Sequence, residues 1–475
     1  MTRSTPTRTL RLVTGALAVA GVAAAVSVSA LPTSTEPLVD NGIGELGGLV
    51  PTVTSSNVKK IGGIPETAAI SMEFARTGPY AYVSSLDTIS VLDLTDPRNP
   101  RLRGSLTQAL FENEAMTYGE RRQDGVLTRF VIAGVDLYRA STDDLDHVNV
   151  DDGPQIAIID VTDPDRPFTR SVTPVGAITT STHTVQCVDG FDCRYAYSAG
   201  NGGRFSVLDL SDLDAPRQVS TVRSPAAGPN PVFARGAGHY WDFDGRLGWH
   251  TGSGGAAAFD VSDPAAPVLV NATDANGTAP GLNDFIHHNS MRPNAAAFTA
   301  GAAPSIANGN VLLVTEEDYA NDGDEVVCSR AGSFQTWYVP DLEGAAYRAA
   351  NPDGTKVGVG TISPHDSTNA PAEFEAGATP PATAFCSAHW FDVHQDGFVA
   401  QGWYGAGLRI LDVRDARDIR QLGYATGAAT EVWDAYWVPV RNAAGKAVPG
   451  KKTNLVYTAD AVRGVEVFEV TLPRS

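Results

Sequence analysis

Four segments of the 475-residue chain open on a histidine followed by a short, partly aromatic run: HTVQCVDG from His183, HYWDFDGR from His239, HNSMRPN from His288 and HWFDVHQDG from His389. Two further segments of the same series open on acids, Glu114 in EAMTYGE and Asp434 in DAYWVPV. Neutral imidazole nitrogen is a good ligand for copper, zinc or iron, and carboxylates can complete the sphere. A single histidine at a strand start carries little information, because polar groups there commonly hydrogen-bond water or one another. Four in register have the makings of a transition-metal centre. Three or four imidazoles would bind the ion, with Glu114 and Asp434 as further ligands or as partners behind the rings.

Other chemistry is poorly represented. The chain has no G-x-S-x-G elbow, no phosphate-binding glycine loop and no H-E-x-x-H pair. NDGDE at 321–325 is acidic enough for calcium but lacks the EF-hand spacing, so it reads as a solvated loop. Cys187 and Cys193 flank VDGFD, a hairpin turn, which makes a local disulfide the first choice. Cys328 and Cys386 then pair by elimination.

The elements that must position the histidines are announced by a repeat. ISVLDLTDP, IAIIDVTDP, FSVLDLSDL, AAAFDVSDP and LRILDVRDA place Asp93, Asp160, Asp209, Asp260 and Asp412 in one setting, and VEVFEVTLP closes the chain. FQTWYVPD at 334–341 fills the long gap between Asp260 and Asp412, giving seven units. An apolar, β-branched run with little alternation describes a strand covered on both faces. The Asp-Pro that follows stops it, since Asp caps local backbone N–H groups and Pro cannot donate to a ladder. Two strands upstream and one downstream complete four antiparallel strands per unit, so an all-β, seven-bladed propeller is expected over 58–475. NVKKIGGIP at 57–65 resembles a missing outermost strand and is expected to close the last blade.

In such a ring the innermost strands line a central channel and their starts share one face. The third to sixth units would bring His183, His239, His288 and His389 to the channel mouth. Glu114 and Asp434 flank that arc, and Ala69 takes the place in the first unit. His287, Glu316, Glu317, Asp318 and Trp403 should lie nearby, as should the long connections 223–238, 271–287, 318–333 and 363–388. The recurring aspartates read as turn and packing groups and not as general acids or bases.

The repeat resembles the LVIVD repeat of bacterial secreted and surface proteins, carried here by 89–97, 156–164, 205–212, 256–264 and 408–415. That resemblance implies a propeller and names no activity. A His-lined channel is similar, in architecture only, to the copper-using selenium-binding-protein and methanethiol-oxidase propellers.

Residues 1–30 read as a signal peptide: Arg3, Arg8 and Arg11, an Ala/Val-rich apolar stretch, then Val28-Ser29-Ala30. Residues 31–57 read as a flexible linker. The formal net charge of −19 disfavours nucleic acid and anionic lipid as partners. Four cysteines suit an exported chain. The expectation is a secreted, monomeric binding or scaffold propeller with a protein or glycan partner at the mouth face, no membrane span after signal removal, and a transition-metal site. The alternative is a metal-dependent, copper-type oxidase acting at the same histidines.

Overall fold

The computed structural model describes residues 51–474 except 66–67, 86–87, 108–113, 115, 136–154, 175–181, 200–203, 224–237, 253–254, 274–285, 318–320, 323–324, 327–331, 345–360, 369–385 and 428. The expected signal peptide, most of the linker, Asp318, Cys328 and large parts of the four long connections lie outside those residues.

Each repeat makes a four-stranded antiparallel blade, and seven blades form the ring: 71–107, 117–174, 184–223, 238–272, 286–368, 391–426 and 432–470, numbered 1 to 7 here. The third strand of a blade carries the repeat. In blade 2, Ile156, Ala157, Ile158 and Ile159 are all fully buried, as a strand covered on both faces requires. The degenerate unit also forms, as Ser333–Tyr338 pairs with Val311–Glu317 on one side and Ser363–Thr368 on the other. Within 318–333, Asn321–Asp322 and Glu325–Val326 form a short hairpin.

The recurring aspartates are turn groups. Each accepts the backbone N–H two residues on: Thr95 at 2.8 Å from Asp93, Thr162 at 2.9 Å from Asp160, Ser211 at 2.8 Å from Asp209 and Ser262 at 2.9 Å from Asp260. A ladder irregularity lies just before the aspartate in each of these blades, for example between Val91 and Leu92 and between Val207 and Leu208.

Among the described residues there is no single central core. Apolar residues of adjacent blades interlock in seven seams. Ile89 and Val91 of blade 1 meet Val131 and Ile159 of blade 2, and Leu408 and Ile410 of blade 6 meet Trp437 and Val456 of blade 7. The ring closes with Val58–Ile64 on Gly464–Val470, as 57–65 had suggested. Within the segment expected to be linker, Val53–Thr54 adds a fifth strand to blade 6 by pairing with Thr426 and Ala425. Cys187 and Cys193 form the local disulfide, with sulfurs 2.00 Å apart. Cys386 is also disulfide-bonded. Among the described residues no helix is long and apolar enough to cross a membrane.

Candidate metal centre

The site is built where the innermost strands begin, and their ladders are distorted there. In blade 4, His239 and Tyr240 lie in a register shift between Gly238 and Trp241. In blade 5, His288 and Asn289 lie in a shift between His287 and Ser290. In blade 6, the His389 N–H reaches the Gly402 carbonyl while the Gly402 N–H reaches the Trp390 carbonyl, so two residues face one. Blade 7 shifts between Val432 and Asp434. A bulge turns a side chain off the regular alternation. Four consecutive blades carry one at the residue in question. Gly402 permits the blade 6 version, because a Cβ there would sit 2.2 Å from the Trp433 carbonyl oxygen.

The result is convergence on Glu114. Its carboxylate lies 2.5 Å from His288 Nε2, 2.6 Å from His389 Nε2 and in hydrogen-bond contact with His183 Nε2. His239 Nε2 lies 3.1 Å from His183 Nε2 and 3.8 Å from Glu114. Neighbouring imidazole centroids around the arc are 4.6, 4.1 and 3.9 Å apart. All four rings therefore commit Nε2 to one point. Glu317 joins from the second strand of blade 5, its Oε2 4.0 Å from His239 Nε2. Glu114, His239, His288 and Glu317 each present a ligand atom, all within 4.8 Å of one another, and all four residues are buried.

Asp434 is placed differently. Its Oδ1 lies 3.2 Å from His389 Nδ1, on the ring's far side from Glu114, and its Oδ2 accepts the Tyr436 hydroxyl at 2.5 Å. The Trp433 carbonyl also lies 2.8 Å from that Nδ1. This is the geometry of a group that orients an imidazole from behind. Tyr404 gives Glu317 similar support through a 2.6 Å hydrogen bond to Oε1. It does so from a left-handed backbone at φ 35°, uncommon for a side chain of that size.

Electrostatics sort the four rings. Burial and the adjacent His288 ring hold His239 well below 6.5, and burial, with the His389 ring, lowers His288. These two are neutral imidazoles at pH 7, the form that binds metal. Burial also works against charging His389, but its hydrogen bonds to Asp434 and Glu114 win and push it up to about 10. Burial likewise opposes an ionised Glu114, yet the surrounding histidines, His183 first, hold it well below 4.5. Asp434 is raised to about 6 by burial.

An aromatic floor lies beneath. Tyr240 of blade 4 meets Trp390 at 4.4 Å, and Trp390 meets Tyr436 of blade 7 at 6.2 Å, all three joining the apolar cluster of blades 7 and 1. The His288 ring sits 6.4 Å from Trp390. Of the four histidines His183 is the most exposed, at 17 % of its side chain, so the cluster opens toward blade 3. His287 and Trp403 are both buried beside the cluster; His287 packs on Trp337 at 5.3 Å.

Sequence reasoning selected the four histidines, Glu114 and Asp434, and the structure brings all six into one connected cluster. It placed Glu317 near the mouth but not among the ligands, and it missed Tyr404. The available signal was VLLVTEE, a strand buried to its end yet finishing on two acids.

No family model matches this chain, and no curated protein matches it. Among solved structures, the crystal structure of the RRP9 WD40 repeats is similar over 89 % of this chain and 100 % of that chain, with a TM-score of 0.50 and 9 % identity. The class defined by strand order and by that likeness is the seven-bladed β-propeller. At such identity the likeness concerns the fold alone.

Proposed function

We propose that this protein is a secreted binding propeller whose channel mouth holds one divalent transition-metal ion. The ion would be bound by Nε2 of three or four of His183, His239, His288 and His389, with Glu114 and Glu317 as carboxylate donors. One observation carries the reading: four imidazoles from four separate blades turn the same nitrogen toward the same buried carboxylate. A mixed set of His nitrogen and carboxylate oxygen suits zinc, copper or iron better than calcium or magnesium. Export is supported by the leader-like residues 1–30 and is compatible with the Cys187–Cys193 disulfide. The LVIVD-like repeat supports placement at or outside the cell surface.

Elemental analysis of the purified full chain, followed by titration with Zn(II), Cu(II) and Fe(II), tests this. About one equivalent of metal is expected, lost in a His239→Ala, His389→Ala double variant whose circular dichroism is unchanged. Substoichiometric metal that is the same in the variant would overturn the proposal.

Turnover at the same centre is a second reading. The partial exposure of His183 favours it, because a catalytic metal keeps one position open to substrate. Oxygen uptake by the copper-loaded chain with small thiols should exceed that of the double variant; equal rates would remove the oxidase reading and leave the binding one.

A further inference from the structure

The opposite face of the ring holds a second polar site, unconnected with the histidines. The innermost strand of blade 2, Thr117–Gln123, starts beside Glu114 and ends on that far face. There Arg121, Gln123, Thr128 and Arg170 face Ser211, Asp212 and Asp214 of the blade 3 turn across a cleft of about 400 Å³, and a smaller cleft of about 230 Å³ shares Arg121, Gln123 and Ser211 with it and adds Arg122 and Arg194. On a chain of formal charge −19, Arg121 and Arg170 line the larger cleft beside Asp212 and Asp214, while Arg121, Arg122 and Arg194 line the smaller one.

The charges are unevenly partnered. Arg170 is held by Asp214 at 2.6 Å and Arg194 by Asp192 at 2.8 Å, while the nearby Asp209 is taken by Arg217 at 2.7 Å. Asp212 accepts the Asp214 N–H at 2.9 Å. Arg121 is only 7 % exposed, yet among the described residues no carboxylate pairs with it. Its Nη1 and Nη2 donate to the carbonyls of Ser211 at 3.1 Å and Cys193 at 2.8 Å, and its Nε has no hydrogen bond. Among the described residues Arg122, exposed on the rim, reaches only the Gly125 carbonyl at 3.4 Å. A buried guanidinium balanced by neutral carbonyls alone is costly, and an oxyanion is the group that would offset it. The neighbouring Thr128 hydroxyl and Gln123 amide supply neutral donors for the remaining oxygens.

We infer that the cleft between blades 2 and 3, floored by Arg121 and edged by Arg122, is a binding site for a small multivalent oxyanion, a polycarboxylate or a phosphate. Its volume would take a molecule the size of citrate. The site stands apart from the metal centre, so the two can fail separately.

Isothermal titration of the full chain at low ionic strength with citrate, inorganic phosphate and, as control, chloride tests the inference. Saturable binding of citrate or of phosphate is expected, and their ratio tells which oxyanion the cleft prefers. Arg121→Gln should weaken it by about tenfold or more, as loss of a charge-assisted hydrogen bond does. Because Arg121 also ties blade 2 to blade 3, Arg122→Glu on the exposed rim serves as a second variant and should weaken binding without changing the melting temperature. No saturable binding of either oxyanion, or equal affinity in wild type and both variants, overturns the inference.

Discussion

At the scale of residues, the informative contrast is between the two acids that flank the histidine arc. Both begin an innermost strand, yet Glu114 lies among the Nε2 atoms and Asp434 lies behind one ring. Their chemistry should differ accordingly. Asp434→Asn keeps a hydrogen-bond acceptor for His389 Nδ1 but removes the charge that favours a well-oriented, basic imidazole. The metal should still bind, with affinity lowered about 10–100-fold, the usual loss for a partner behind a ligand. Competition against a chelator reads this directly. An affinity within twofold of wild type would show that Asp434 has no part in holding the ring. Both acids were legible in the sequence as strand-start residues; which side of a ring each occupies was not, because that depends on the bulges at His389 and Asp434.

At the scale of elements, the repeat is a strand plus an aspartate turn, and the aspartate makes a contribution that can be measured. In blade 4 the Ser262 hydroxyl is the first of the groups that hold Asp260 below 3.8, joined by the Ser262 N–H and Arg246 against the effect of partial burial. A carboxyl lowered in the folded state adds stability above its unfolded value, and loses it as pH falls through the folded one. Asp260→Asn should therefore lower stability at pH 7 by about 1 kcal/mol, the scale of a net hydrogen bond. The gap to wild type should close as the pH is taken below 3.8. Thermal melts of both proteins from pH 7 to pH 3 check the sign. A gap that stays constant over that range would mean that the carboxylate charge is irrelevant to the turn. This part of the fold was readable in advance because every contact it needs lies within a few residues of the motif.

At the scale of the whole molecule, stability depends on closure. The seven seams form a ring only if blade 7 is completed, and its outermost strand comes from the other end of the chain. A truncated chain starting at residue 66 would expose the edge of Gly464–Val470 where Val58–Ile64 had paired. The loss should be on the order of 5 kcal/mol, taking several ladder bonds at about 1 kcal/mol each. Calorimetry and size-exclusion chromatography together test this. A lower melting temperature and a shift to oligomers are expected, and an unchanged, monomeric protein would contradict closure by this strand.

The sequence by itself determined the seven repeating units, the turn aspartates, the closing strand and the four histidines. Each follows from local periodicity, from what Asp and Pro do to a strand, or from aligning one unit on the next. Only the tertiary structure decided that Glu114 would sit among four Nε2 atoms, that Glu317 would reach the group from a second strand, and that Tyr404 would support it. The physical reason is that a propeller brings strand starts from distant parts of the chain within a few ångströms. Which atoms then touch is set by the bulges at His239, His288, His389 and Asp434 and by the close passage of Gly402 past Trp433. Ring geometry of that kind leaves no periodic trace in the residues themselves. The histidines that head the strands were in plain view; the carboxylate they share was visible only as one more strand start.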